Sequence, residues 1–468
     1  MSNGPSATAT SRDRIVAAAC LVGLLVAAGS ARAQHDGMSR EEAWRAEYGA
    51  RRARVMERLP DGVLLVHARS GPKDEEAAAF RQDATFFYLT GLNQAPGAIL
   101  ALDGERGEAI LFVAPAPFSF GQPVDGLSPQ ADARSAQQLG LARVVAWDGF
   151  VDWVARRVAA GAVLYVDAPR RPEMNGAPPG MPPLAGTLGL WRHALEQTFP
   201  EAVIKLAVEV VRELRWVKSE LEIGRLRQNA AMTVRALGAA AARIDAGASQ
   251  RQVEAAVVSA CLEAGAQGPS FWPWAMSGPN SHVAGLVRAF YSYEHLDREM
   301  KEGELVRVDI GCHGANYGAD VGRTLPVGGR FSAAQAELWD LLVAGYLAGL
   351  DAMADGVTVS EVRAASRARV RDLGASLASE AGRTAAARLD DDTAWHLHGV
   401  GIDSGEEALP VLRAGAVIAY EPMLVAGADA FYLEDMILVT ASGHEVLSAG
   451  LPYRAAALAE WMRSRGRH

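Results

Sequence analysis

The hydrophobic and polar residues of this chain follow two different patterns, one with the spacing of a helix and one with that of a buried strand. Residues 39–59 have a helical spacing with many charged positions, and residues 62–67 form a short apolar run of the kind that makes a buried strand. Further strands are predicted at 98–102, 108–113, 143–145 and 163–166, and proline- and glycine-rich surface loops at 115–129 and 172–186. This part of the chain is therefore predicted to be an α/β domain.

An internal repeat distinguishes the second half of the chain. A helix predicted at 220–244 leads to another that ends at Gly265, and a helix predicted at 333–353 leads to one that ends at Gly374. The two halves align at a constant offset of 109 residues, which places Gly247 on Gly356. Apolar strands follow each helix pair. The pattern predicts two related α+β halves with their strands around a shared centre.

Acidic residues interrupt these apolar strands at matching places. Asp309 and Asp320 lie in the first half, Glu421 and Glu434 lie in the second, and His398 lies between the two pairs. On exposed strands such acids would be ordinary salt-bridge partners, but a buried carboxylate costs several kcal/mol without a cation. The five residues together favour a pair of divalent ions, with manganese preferred and cobalt or zinc as alternatives.

The segments that contain these residues resemble the motifs of a known family. They read Val308-Asp-Ile-Gly311, Gly318-Ala-Asp-Val-Gly-Arg-Thr-Leu-Pro326, His398-Gly-Val-Gly-Ile-Asp403, Glu421-Pro-Met423 and Glu434-Asp435. They are similar to those of the pita-bread metallopeptidases, which include methionine aminopeptidase, prolidase and aminopeptidase P. Upstream, Phe80-Arg-Gln-Asp-Ala-Thr-Phe-Phe-Tyr-Leu-Thr-Gly91 resembles the amino-terminal domain of aminopeptidase P and prolidase, which methionine aminopeptidase lacks. The stretch 214–223 resembles the beginning of the family's catalytic domain.

The resemblance implies a two-domain α/β protein. A creatinase-like α/β domain of the aminopeptidase P type is expected over residues 34–213, and a pita-bread α+β catalytic domain with a pseudo-twofold repeat over 214–448. Residues 449–468 are expected to be a solvated basic tail. By the same resemblance, Asp309 would chelate one metal, Asp320 and Glu434 would bridge both, and His398 and Glu421 would hold the second. Glu421 would also act as the general base.

Three histidines that such peptidases usually carry are replaced in this sequence, by Ser292, Ala394 and Gly405. His396 is the best substitute in proton transfer, because residues i and i+2 of a strand face the same side and His396 would point toward the site with His398. A register shift of two would instead make His396 the metal ligand. The predicted substrate contacts are His282, His295 and Tyr291. Tyr293 and the aromatic segment 271–274 are candidate pocket walls, or ordinary core residues.

The leading functional hypothesis is an exported two-metal aminopeptidase that cleaves the amino-terminal Xaa-Pro bond of peptides. The alternatives are a prolidase-like dipeptidase, a pita-bread hydrolase with a non-peptide substrate, and a non-catalytic binding protein that retains the fold. The complete set of metal ligands argues against a binding protein, and the replaced histidines argue for one. The family resemblance suggests a homodimer or a higher homo-oligomer.

The amino terminus predicts export. Arg12 and Arg14 precede an apolar run at 15–28, and Ala31-Arg-Ala33 provides the small residues of a signal-peptidase site. Residues 1–33 are therefore predicted to be a cleaved signal peptide, and the mature protein to be periplasmic or secreted. A membrane anchor is the alternative, but about 14 apolar residues are too short for a bilayer core of about 30 Å.

Charge and cysteine content exclude further classes. The net charge is −9 and no block of basic residues is present, so a nucleic-acid partner is not expected. Cys20 lies in the predicted signal peptide, and only Cys261 and Cys312 remain after it. Two cysteines at this spacing do not form a zinc motif or a disulfide framework, so they are expected to be small buried residues, with a disulfide as the less favoured alternative.

Overall fold

The computed structural model describes residues 38–70, 80–116, 118–119, 121–167 and 187–465. The predicted signal peptide and the predicted loop at 172–186 lie outside the described residues. Within those ranges no helix has both the length and the apolar composition that crossing a membrane requires.

A six-stranded mixed sheet organises the amino-terminal domain, in the order β6-β3-β2-β1-β7-β8. Its strands are β1 Gly62–His67, β2 Ile99–Asp103, β3 Glu108–Val113, β6 Arg143–Ala146, β7 Val163–Val166 and β8 Ile204–Leu206; β4 Phe118–Ser119 and β5 Gln122–Pro123 form a small separate hairpin inside the predicted loop at 115–129. The helices are α1 Arg40–Arg58, α2 Ala84–Thr90, α3 Ala133–Leu139, α4 Phe150–Ala159, α5 Thr187–Thr198 and α6 Val208–Trp216. The strands predicted from the apolar runs are confirmed to within one residue.

A seven-stranded sheet forms the centre of the carboxyl-terminal domain, with neighbouring strands antiparallel in the order β10-β11-β13-β16-β15-β14 and with β17 paired to β16. Its strands are β10 Trp274–Ser277, β11 Leu305–Ile310, β13 Val321–Pro326, β14 Trp395–Gly399, β15 Val417–Ala426, β16 Asp429–Thr440 and β17 Gly443–Val446; β9 Gly268–Pro269 pairs with β12 Cys312–His313. The helices are α7 Glu220–Ala241, α8 Gln250–Glu263, α9 Val283–Ser292, α10 Ala333–Asp351, α11 Val359–Gly374, α12 Glu380–Leu389 and α13 Ala455–Arg463. The predicted two-domain α/β and α+β architecture is confirmed.

The internal repeat is visible in the two helix pairs. Gly247 precedes α8 and Gly356 precedes α11, and both have a positive φ, of 85° and 83°, which favours glycine. Two residues later, Ser249 and Thr358 begin their helices with the same capping box, in which the side chain accepts a hydrogen bond from the backbone N–H three residues on. The same turn chemistry therefore starts the second helix of each half.

Two arginines join the two domains. Arg51 on α1 pairs with Glu222 on α7 at 2.9 Å, and both side chains are almost fully buried. Arg81, in the stretch that resembles the family's amino-terminal signature, donates hydrogen bonds to the carbonyl oxygens of Pro269 and Ser270. The amino-terminal domain thus fixes a segment that borders the central sheet of the other domain.

The structure corrects the expectation for the cysteines. Cys261 on α8 and Cys312 on β12 form a disulfide, with Cα atoms 5.4 Å apart. The sequence separation of 51 residues gives no sign of this pairing. It arises because the strand after α8 pairs with β12, which places the helix next to that strand.

Loss of this disulfide is expected to lower stability by about 2–4 kcal/mol, because the crosslink closes a loop of 51 residues in the unfolded chain. Urea unfolding of the oxidised protein, with and without dithiothreitol, measures the effect. The double variant Cys261→Ala/Cys312→Ala should unfold like the reduced protein and should be indifferent to the reductant. A reductant effect of equal size on the variant would mean that the disulfide is not its cause.

The solvated tail is also a correction. After the last strand the chain forms α13, whose Leu458 and Met462 are buried. The carbonyl of Tyr453 accepts a hydrogen bond from Trp339 Nε1, and Arg463 donates one to the carbonyl of Gly329. This segment is therefore an amphipathic helix that packs on the carboxyl-terminal domain, with its arginines on the outer side.

Candidate metal centre

Adjacent strands bring the five predicted ligands to one region of the sheet. Asp309 lies on β11, Asp320 directly precedes β13, His398 lies on β14, Glu421 on β15 and Glu434 on β16. These strands are consecutive neighbours in the sheet order β11-β13-β16-β15-β14. The antiparallel order therefore brings together residues that are up to 125 positions apart in the sequence.

One glycine is required for this arrangement. Gly322 on β13 pairs with both Asp309 and Glu434 across the sheet. A Cβ atom at this position would lie 2.1 Å from the ring of Tyr432. The close approach of Tyr432 to the carboxylates therefore depends on the missing side chain.

Three of the ligands form a compact donor group. Oxygen or nitrogen atoms of Asp320, His398 and Glu434 all lie within 4.8 Å of one another. His398 Nε2 is also 3.3 Å from Glu421 Oε1. Among the described residues, Asp320 Oδ1 and Glu434 Oε1 are buried and have no hydrogen-bond partner. Buried, unpartnered carboxylate oxygens beside an imidazole fit a divalent cation such as manganese, cobalt or zinc.

The electrostatics of the donor group also favour a bound cation. Burial raises the pKa of Asp320 and of Glu434 well above the usual range, and the neighbouring carboxylates raise it further. Burial alone would lower the pKa of His398, but its hydrogen bond with Glu421 and the charge of Asp320 raise it to about 9. Metal binding would therefore have to displace protons, and a cation would relieve the repulsion among the acids.

Asp309 has a cationic neighbour that the sequence did not reveal. Arg307 Nη2 lies 3.0 Å from Asp309 Oδ2, and its guanidinium group stacks 4.1 Å from the ring centre of Tyr432. The Tyr432 hydroxyl lies between two carboxylates, within hydrogen-bonding distance of Glu421 Oε2 at 2.7 Å and of Glu434 Oε2 at 2.9 Å. Arg307 and Tyr432 each lie two residues before a predicted ligand on the same strand, so the rule of alternating faces could have identified both.

His396 lies beside the donor group. Its Nδ1 contacts Glu421 Oε1, and its side chain is 56% exposed. The ring centres of His396 and His398 are 5.7 Å apart. His398, rather than His396, belongs to the compact group of donor atoms, which is the arrangement expected without the register shift.

A cavity of about 610 Å³ contains the centre. Its walls include the predicted ligands Asp309, Asp320, His398 and Glu421, together with Arg307, Tyr432, His396, Phe271, Trp274 and Arg363. Phe271 and Trp274 come from the predicted aromatic segment. Gly405, one of the three histidine replacements, also lies in the wall. Ala394 closes the short turn before β14, and Ser292 ends α9.

The structure places two of the predicted substrate contacts elsewhere. Tyr291 is 76% exposed on α9, and His282 Nε2 lies 3.2 Å from the carbonyl of Ala428, so neither is among the residues that line the cavity. This corrects their assignment as substrate contacts, because Tyr291 is exposed on α9 and His282 directly precedes that helix. The side chain of His295 lies outside what the structure describes, and its role stays a prediction.

A buried carboxylate supports the aromatic wall. Glu254 on α8 accepts hydrogen bonds from the hydroxyl of Tyr293, from Trp272 Nε1 at 3.2 Å and from the backbone of Ala275. Burial raises its pKa to about 7 in spite of these donors. The folded state therefore retains a proton that the unfolded state loses near pH 4.5.

Stability is expected to depend on pH through Glu254. The contribution of Glu254 to the free energy of unfolding is full below about pH 4.5. It is lost as the pH rises to about 7, a change of about 1–3 kcal/mol. Urea unfolding of the metal-free protein at pH 5 and pH 7.5 measures it. In Glu254→Gln the difference between these two pH values should shrink by that amount. An unchanged difference would assign the pH dependence to other groups.

Comparisons with known proteins agree with this geometry. Residues 224–441 match metallopeptidase family M24, and residues 48–119 match the amino-terminal domain of aminopeptidase P. The chain is 26% identical to Xaa-Pro aminopeptidase of Escherichia coli, over 87% of this chain and 95% of that protein. It is 25% identical to the mitochondrial intermediate cleaving peptidase 55 of Arabidopsis thaliana, over 87% and 80%. The solved structure of Pseudomonas aeruginosa aminopeptidase PepP superposes with a TM-score of 0.72 at 21% identity, covering 91% of this chain and 99% of that one.

Proposed function

We propose that this chain, which is an aminopeptidase P-like enzyme of metallopeptidase family M24, hydrolyses the bond between an amino-terminal residue and a following proline with two divalent metal ions. The observation that supports metal chemistry is the group of Asp320, His398 and Glu434, with its unpartnered buried oxygens, inside a cavity large enough for a short peptide. The Xaa-Pro specificity comes from the named activity of relatives that align over most of the chain.

The five ligand residues divide the work of holding the metals. Asp309 would hold one ion, Asp320 and Glu434 would bridge, and His398 and Glu421 would hold the other. When bound, the ions would supply positive charge that polarises the scissile carbonyl and acidifies the attacking water. Manganese is the first choice, and cobalt or zinc satisfy the same donors.

Proton transfer falls to residues on β14 and β15. Glu421 is the proposed base, and its Oε1 is in contact with His396 Nδ1. A proton taken by Glu421 can therefore pass to His396, which is exposed to the cavity and can deliver it to the leaving amine. His396 would in this way replace the histidines that are absent at 292, 394 and 405.

Export remains part of the proposal. The predicted signal peptide at 1–33 leads to the periplasm or the medium, and the disulfide between Cys261 and Cys312 is of the kind that persists in oxidising compartments. The proposed assembly is a homodimer or a higher homo-oligomer, without a membrane anchor.

Hydrolysis of a small peptide panel tests the proposal. The mature protein is loaded with manganese, cobalt or zinc and given an Xaa-Pro dipeptide, an Xaa-Pro-Xaa tripeptide and a matched Xaa-Ala-Xaa tripeptide. Cleavage of the proline tripeptide at its first bond, without cleavage of the alanine peptide, is the expected result. Cleavage of the dipeptide alone would indicate a prolidase-like dipeptidase. No cleavage by the metal-loaded protein would indicate a non-peptide substrate or a binding role, and would overturn the proposal.

His396→Ala is expected to reduce kcat by about 100-fold or more with little change in metal content, because it removes a proton carrier and no metal ligand. Turnover and metal content are measured on the same preparation. His444→Ala is the control, since His444 lies on β17 and does not line the cavity. Unchanged turnover in His396→Ala would return His396 to a structural role.

A further inference from the structure

An arginine outside the proposed reaction faces the same cavity. Arg363 lies on the second turn of α11, and its half-buried side chain forms part of the cavity wall together with Val359, Leu409 and Pro410. Its Nε donates to the carbonyl oxygen of Trp395 at 2.9 Å, which fixes the plane of the guanidinium group. Trp395 directly precedes His396, so the cation is held close to the proton-transfer pair.

The charge of Arg363 is not compensated by the protein. In the ranges that the structure describes, no carboxylate lies within 4 Å of Arg363, and its Nη1 and Nη2 have no hydrogen-bond partner. The nearby acids of the cavity wall are already paired: Glu406 binds Arg215 at 2.6 Å and Lys218 at 3.0 Å, and Glu407 binds Arg212 at 3.1 Å. A fixed guanidinium with two free donors is a binding site for a planar anion.

The chemistry of a peptide substrate indicates which anion Arg363 would bind. A short peptide has two charged ends, and the cluster of acidic ligands attracts the amine end, whereas Arg363 repels it. We propose that Arg363 binds the terminal carboxylate of a short peptide, so that the site selects substrates with a free carboxyl group near the scissile bond. Arg363 binds the carbonyl of the residue before His396, and His396 contacts the predicted ligand Glu421, so the cation and the metal centre border the same cavity of about 610 Å³. This inference rests on the proposed peptidase function.

Paired substrates test the inference. One Xaa-Pro-Xaa tripeptide is supplied as the free acid and as the carboxyl-terminal amide, and kcat and KM are measured for both with metal-loaded protein. The free acid should be preferred by about 10- to 100-fold in kcat/KM, chiefly through KM, which is the range expected for a charge-assisted hydrogen-bonded pair. In Arg363→Met the ratio of kcat/KM for the free acid to kcat/KM for the amide should fall to about one. The kcat/KM of the acid should decrease, and that of the amide should stay the same.

Arg367→Met is the matched control. Arg367 lies one turn further along α11 and pairs with Asp390 and Asp392 instead of lining the cavity, so its loss should leave the preference for the acid intact. Equal turnover of acid and amide by the unmodified protein overturns the inference but not the proposed function. An equal loss on both substrates in Arg363→Met also overturns it, since that result indicates a structural role.

A binding measurement separates the two proposals when no substrate is cleaved. Isothermal titration of the metal-loaded protein with the same acid and amide peptides then gives two dissociation constants. Tighter binding of the acid that is lost in Arg363→Met supports the carboxylate site even though the proposed hydrolysis has failed. Equal dissociation constants for the acid and the amide overturn the inference, in addition to the failed proposal of hydrolysis.

Discussion

Glu434→Gln is expected to reduce metal content from about two ions per chain to fewer than one and to abolish turnover, because Glu434 is the proposed bridging ligand at the centre of the group. Glutamine has nearly the same shape as glutamate, so the loss of metal and of turnover can be attributed to the missing negative charge. Metal analysis after gel filtration, with turnover on the same sample, measures both effects. Retention of both ions at full stoichiometry would refute the bridging role.

In the metal-free protein, by contrast, Glu434→Gln is expected to increase the free energy of unfolding. Burial and the neighbouring acids raise the pKa of Glu434, so in the wild type its contribution to stability is full below about pH 4.5 and decreases as the pH rises. Glutamine avoids this cost and should stabilise the metal-free protein by about 1–3 kcal/mol near pH 7. Glu445→Gln, at an exposed position that pairs with Arg227, should change neither metal content nor this stability appreciably. A metal-free Glu434→Gln protein that is less stable than wild type would contradict the electrostatic account.

Arg323→Met is expected to destabilise the fold by about 3–5 kcal/mol, because it leaves the buried carboxylate of Asp435 without its cation. Arg323 Nη2 donates to both oxygens of Asp435, at 2.8 and 3.0 Å, and both side chains are completely buried. The hydroxyls of Tyr346, Ser448 and Tyr453 complete the shell of that carboxylate. Urea unfolding of the metal-free variant measures the loss.

The matched double variant Arg323→Met/Asp435→Asn isolates the ion pair. With the charge of Asp435 also removed, it should be more stable than Arg323→Met, in spite of the second substitution. If the single variant costs less than about 1 kcal/mol, Asp435 is not a buried charge that depends on Arg323. The result bears on the metal centre as well, because Asp435 follows Glu434 on β16 and fixes its strand.

The residues proposed as metal ligands could be selected from the sequence because each lies in a short motif with a recognisable local pattern. Asp309 stands in a β-branched run, and His398 stands before a glycine-rich turn. The alternation of apolar residues also located β1, β3 and β7 at their observed bounds, since a buried strand needs no information from distant residues.

Most of the contacts that the sequence did not predict join distant elements. Cys261 meets Cys312 only because β9 pairs with β12, and Arg363 reaches the cavity only because α11 packs beside β14. The wrong assignment of Tyr291 has the same origin: proximity in sequence to the expected histidine position carried no information on the direction of the side chain. Arg307 is an exception, because residues i and i+2 of a strand face the same side and Arg307 therefore lies beside Asp309.

The buried pair of Arg51 and Glu222 bears on how the two domains can be separated. One continuous core runs from Trp44 through Phe87 to Ile223 and Val308, so it crosses the boundary between them. A catalytic domain produced alone would expose that apolar surface and would leave Glu222 without its cation. The boundary between the sequence families therefore passes through one shared core, and unfolding of the amino-terminal domain should destabilise the other domain.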